Sequence, residues 1–97
     1  MISLKPGVTA RGIQAELLLG LIVLDAQYTK AGYTCVVTAL TDGKHMEGSL
    51  HYKGQAADFR TNDISPAVAA LIVKNTKEAL GADYDVILEA SHGHLEH

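Results

Sequence analysis

The chain has 97 residues, 47% hydrophobic and 20% charged, enough for one hydrophobic core and too few for two. A formal net charge of −3 provides no basic surface field, which argues against a nucleic-acid partner. The only cysteine, Cys35, excludes an internal disulfide, so the fold does not need an oxidising compartment.

The opening "MISLKPGVTARG" lacks the basic region followed by an apolar run that marks a secretion signal. From about Gly12 to Ala31, Ile13, Leu17, Leu21, Leu24 and Tyr28 recur at helical spacing, with Gly32 as a natural stop. The run "LLLGLIVL" within it is bounded by Glu16 and Asp25, far short of the roughly 20 apolar residues of a membrane span. It reads as a core helix, and no membrane partner is expected. "YTCVVTAL", rich in β-branched and aromatic residues, predicts a strand with Cys35 as a buried thiol. Residues 41–54 carry Asp42, Gly43, Gly48 and Gly54 and read as a loop, with "QAADFRT" a short strand leaving it. A second helix opens at "SPAVAALIVKNTKEAL", with Ser65 as N-cap, Pro66 at the first helical position and Gly81 at the end. "YDVILEA" predicts a strand, and "HGHLEH" a partner strand or edge. This order predicts a single α+β domain over residues 1–97, with two main helices and a small, mostly antiparallel sheet.

The histidines carry the chemistry. There are five, with His51 and Asp58 seven residues apart and His92, His94 and His97 clustered at the end; His45 lies near the first group. A structural zinc usually draws on several cysteines, whereas a catalytic zinc takes three nitrogen or oxygen ligands and keeps one position open. His51, Asp58 and one histidine of the terminal cluster would supply such a set. Gly54, Ala56 and Ala57 let the backbone turn tightly between the first two, and strand alternation puts His92 and His94 on one face. Taken singly, each is ordinarily a solvated surface residue. The closing "LEH" looks like the start of a common cloning scar before a histidine tag, which leaves His97 little weight.

"SLHYKGQAADFR" fits the pattern S-x-H-x-x-G-x-A-x-D at Ser49, His51, Gly54, Ala56 and Asp58. The pattern resembles that of the zinc D-alanyl-D-alanine carboxypeptidases and their relatives, the vancomycin-resistance dipeptidases and phage L-alanyl-D-glutamate endopeptidases. "YDVILEASHGHLE" resembles their second element, and "DGKH" at Asp42 to His45 is similar to small phage-encoded or prophage-encoded members. The resemblance implies the small α+β fold shared with the signalling domain of Hedgehog proteins. It implies zinc ligation by His51, Asp58 and His94, with Ser49 bracing the ligand loop. His92 would stabilise the oxyanion. The implied substrate is peptidoglycan stem peptide, as for an endolysin. The implied location is a phage-encoded or cytoplasmic protein released to the bacterial cell wall, or one carried on a virion.

The chain departs from that family at two places. Ser91 stands where relatives carry the Asp or Glu general base, and a hydroxyl cannot take a proton at neutral pH as a carboxylate can. Either Glu89 reaches the water through a strand bulge, or Glu89 and His92 form a shifted E-x-x-H pair that makes His92 the ligand. A zinc-binding module that recognises wall peptides without cutting them is the competing reading. Relatives also use an upstream arginine on the substrate carboxylate, and no arginine lies between Arg11 and Arg60. Lys44 or His45 would replace it as a point charge, without arginine's two-pronged geometry. Arg60 reads as a surface or structural ion pair, and Tyr52 and Lys53 as exposed loop residues.

Overall fold

The apolar stripe anticipated for the first helix faces the core. In α1 (Ala15–Lys30), Leu17, Leu21, Leu24 and Tyr28 lie in the core, with Ile13 packed against it just before the helix. The helix begins later than its periodicity suggests because the Gln14 amide is drawn to the Gly54 carbonyl (2.8 Å), outside the helical ladder. It ends in a left-handed turn at Gly32 (φ 85°), where the amides of Gly32 and Tyr33 return to the carbonyls of Thr29 and Tyr28, both at 3.0 Å. In α2 (Pro66–Leu80), the Ser65 hydroxyl accepts from the Val68 amide (3.2 Å), and Ala69, Ile72, Val73 and Thr76 face inward.

The protein is described here by a computed structural model, for residues 2–42 and 50–97. The strands are β1 (Ile2–Leu4), β2 (Cys35–Ala39), β3 (Ala56–Arg60), β4 (Asp85–Leu88) and β5 (His92–Glu96). They form one five-stranded sheet in the order β1-β2-β3-β5-β4. The β1–β2 pairing is parallel and the other three are antiparallel, which makes the sheet mixed and the fold α+β. β1 is an addition to the expected elements; its three exposed residues carry no periodic signal. β4 ends at Leu88, earlier than "YDVILEA" suggests, because the Glu89 amide bonds the His92 carbonyl (2.8 Å) and closes a hairpin.

Alternation divides the residues of the sheet between two faces. Val37, Ala57, Phe59, Val86 and Leu95 join the helices in one core. The Tyr28 ring meets Phe59 edge-on (centroids 6.2 Å apart), and its hydroxyl donates to the Arg60 carbonyl at 2.6 Å. Cys35 is fully buried, and burial pushes its thiol up to about 12. Leu95 is 0% exposed and lies in β5 beside Glu96, and His97 follows the strand. The other face of the sheet, away from the helices, carries Asp58, His92, His94 and Glu96. No helix among the described residues is long and apolar enough to cross a membrane.

Candidate metal centre

Asp58 sits mid-strand on β3, paired with His94 on β5 and with Ala39 on β2. The register slips between Val37 and Ala39, a bulge in the strand next to Asp58. Such bulges re-aim side chains beside functional sites. On the other flank, directly opposed residues of an antiparallel pair share a face, which brings His94 against Asp58.

His51 arrives from the loop before β3. The chain reverses at Gly54 (φ 70°), whose amide bonds the His51 carbonyl at 3.1 Å. A Cβ at this position would collide with the Gly12 backbone, so the turn demands glycine for space as well as conformation. The turn is tied to the start of α1 by Gln14, through its amide to Gly54 and its side chain to the Lys53 carbonyl (3.2 Å).

One oxygen of Asp58 gathers the histidines. Its Oδ1 lies 2.8 Å from His94 Nδ1, 3.4 Å from His51 Nε2 and 3.7 Å from His92 Nε2. His51 is buried, and its Nδ1–H donates to the Leu40 carbonyl at 2.8 Å. That bond leaves Nε2 as the nitrogen turned to Asp58. His94 is bracketed by carboxylates, with Nε2 2.9 Å from Glu96 Oε1. His92 contacts the Ser91 hydroxyl through Nδ1 (2.8 Å), while its Nε2 stands 3.8 Å from Glu89 Oε2.

The electrostatics follow from this clustering. Burial disfavours the Asp58 charge, but hydrogen bonds from His51 and His94 outweigh it and hold the carboxyl well below the usual range. The hydrogen bond to Asp58, aided by Glu96 and opposed by burial, pushes His94 up to about 8. For His51, burial opposes the charged form, yet Asp58 and the Leu40 carbonyl prevail and its pKa rises.

His51, Asp58 and His94 can hold a metal ion: one ligand atom from each lies within 4.8 Å of the others. The donor set suits a small borderline cation, since zinc bonds of about 2.0–2.1 Å in tetrahedral array put ligand atoms roughly 3.4 Å apart. The 3.4 Å between His51 Nε2 and Asp58 Oδ1 matches that spacing, whereas His94 Nδ1 stands at hydrogen-bond distance from Asp58 Oδ1 (2.8 Å) and would draw back to admit an ion. His94, rather than His92, completes the group. His92 Nε2 lies farther from Asp58 Oδ1 (3.7 Å) than His94 Nδ1 does (2.8 Å), and Glu89 adjoins His92. Glu89 reaches His92 from the first position of the hairpin turn, and the β4–β5 register from Asp85 to Leu88 runs without the bulge considered from sequence.

Lys44, His45 and Ser49 lie outside the described residues. Arg60 forms no ion pair among the described residues, contrary to expectation; it lies on β3 opposite His92, on the face that bears the centre. The His97 ring lies tilted beside that of Tyr84 (centroids 4.8 Å apart), and its amide bonds the Gln55 carbonyl at 2.9 Å. Glu96 and the Leu40 carbonyl were not anticipated. The period-two series His92, His94, Glu96 could have flagged the first, but a main-chain carbonyl leaves no mark in sequence.

No protein-family model matches the chain, and no curated protein matches it.

Proposed function

We propose that this chain is a zinc-dependent peptidase acting on peptidoglycan stem peptides, of the D-Ala-D-Ala carboxypeptidase or L-Ala-D-Glu endopeptidase type. The observation that carries this reading is the convergence of His51 Nε2, Asp58 Oδ1 and His94 Nδ1 on the sheet face away from the helices. The motif around His51 and Asp58 supports the substrate class by resemblance. Zinc, when bound, supplies a Lewis acid that polarises the scissile carbonyl and brings the pKa of bound water down to roughly 7.

The chain's own residues do the rest. Glu89 is the carboxylate that takes a proton from the attacking water and returns it to the leaving amine. His92, between Asp58 and Glu89, donates from Nε2 to the oxyanion that develops on the carbonyl. The Ser91 hydroxyl holds His92 by its other nitrogen in that orientation. Arg60 offers a planar cation to a substrate carboxylate on the same face. Lys44 and Ser49 remain substrate-side candidates from the motif alone.

One observation favours a second reading, a zinc-binding module that recognises wall peptides without cutting them. The position occupied by a carboxylate in the resembled family holds Ser91, already bonded to His92. A digest of purified peptidoglycan with zinc-loaded protein, read by mass spectrometry with His51→Ala as control, separates the two. Release of terminal D-Ala identifies a carboxypeptidase, and scission between L-Ala and D-Glu an endopeptidase. Bound zinc with no product leaves the binding module.

A further inference from the structure

We propose that Glu96 is the positioning residue of the metal centre, holding the Nε2–H of His94 so that Nδ1 is the nitrogen given to the ion. The inference rests on the metal-binding part of the reading above and is independent of hydrolysis.

A histidine has two nitrogens, and the partner of one decides which serves as ligand. For His51 that partner is the neutral carbonyl of Leu40, which commits Nε2. For His94 the roles are reversed: Nδ1 faces Asp58 at 2.8 Å and Nε2 faces Glu96 at 2.9 Å. The two histidines therefore offer opposite ring nitrogens to one point. Glu96 stands at the Nε2 end of the imidazole, opposite the Asp58 side, and is thus placed to orient the ring rather than to act on substrate. A carboxylate partner also polarises the imidazole more strongly than a carbonyl does, which makes His94 the more basic ligand.

Neither register partner of Glu96 offers it a counter-charge. Its register partner on β4 is Asp85, and its partner on β3 is Ala56. Like charges directly opposed across an antiparallel pair are destabilising. The compensating contact that Glu96 makes is the one to His94.

The test is zinc affinity, measured by competition with a chromophoric chelator, in wild type, Glu96→Gln and Glu96→Ala. Loss of an orienting partner of this kind weakens metal binding by about 10–100-fold, the result expected for Glu96→Ala. Glu96→Gln keeps an acceptor oxygen and loses the charge, so it falls between the two. Long-range proton–nitrogen NMR of the zinc-loaded wild type should show His94 metallated at Nδ1 and protonated at Nε2, a pattern that Glu96→Ala blurs. Metal-free melting temperature reports any structural effect separately, so that zinc affinities are compared among folded proteins. Zinc affinity of Glu96→Ala within twofold of wild type overturns the proposal, as does His94 metallated at Nε2. Failure of wild type itself to bind zinc overturns this proposal and the metal centre together, whereas failure to hydrolyse wall peptide removes the peptidase reading alone.

Discussion

Gly93 and Phe59 are register partners on β5 and β3, and a Cβ on Gly93 would collide with the outer edge of the Phe59 ring. The glycine is thus required by a close approach and not by an unusual φ. It separates the two histidines that face Asp58, so the depth of Phe59 in the core sets how near β5 comes to the centre. Gly93→Ala should destabilise the fold by about 1–3 kcal/mol, the usual range for overpacking. It should also weaken zinc binding, because His92 and His94 move with the strand. Adding Phe59→Leu should recover part of both losses, a coupling that chemical denaturation and zinc titration of the double-mutant cycle would reveal.

His51→Ala, Asp58→Ala and His94→Ala should each abolish the stabilisation that zinc confers. In the wild type, a ligand that binds only the folded state raises stability by about 2.7 kcal/mol at a hundredfold excess over Kd. Thermal melts with zinc and with chelator test this. Equal melting temperatures in the wild type would remove the metal centre.

The metal-free protein and the zinc complex should respond oppositely to pH. Without metal, His94 holds its proton up to about 8 against an ordinary 6.5, so its contribution is complete below 6.5 and lost as pH rises through about 8. Asp58 is depressed from 3.8, so its contribution is complete above that value and lost as pH falls below it. Metal-free stability should therefore peak between about 3.8 and 6.5. Zinc must displace the protons that His94 and His51 hold, so affinity should rise at least about tenfold per pH unit towards 8 and then flatten. Calorimetry in buffers of differing ionisation enthalpy would count the protons released.

Ser91→Asp would place a carboxylate at the position where the resembled peptidases carry their base. General-base catalysis contributes about 10²–10⁴-fold, so in a Glu89→Gln background this carboxylate should recover much of the hydrolysis lost with Glu89. An unchanged rate would favour the binding module. Glu89→Gln in the wild type should lower hydrolysis by a similar factor while leaving zinc affinity in place.

Cys35 is fully buried with its thiol pushed up to about 12, so it should resist alkylation in the native state and react once denaturant unfolds the chain. A stoichiometric labelling time course would check this, and prompt labelling without denaturant would contradict the burial.

Much of this molecule is written locally. The face of α1, the helix stops at Gly32 and Gly81, the Ser65 cap and the shared face of His92 and His94 follow from periods of 3.6 and 2 and from glycine's access to positive φ. His51 and Asp58 were legible as candidate donors together with one histidine of the terminal cluster, and His94 was singled out only by the resemblance. Tertiary structure alone decided what surrounds them. The Leu40 carbonyl that turns His51, the bulge beside Asp58, the parallel β1 and the pressure of Phe59 on Gly93 join positions distant in the chain or involve backbone groups common to all residues. Glu96 lies between the two cases. Its face followed from alternation, but the choice of His94 as its partner, over the like-charged Asp85 opposite, appears only when β3, β5 and β4 lie side by side.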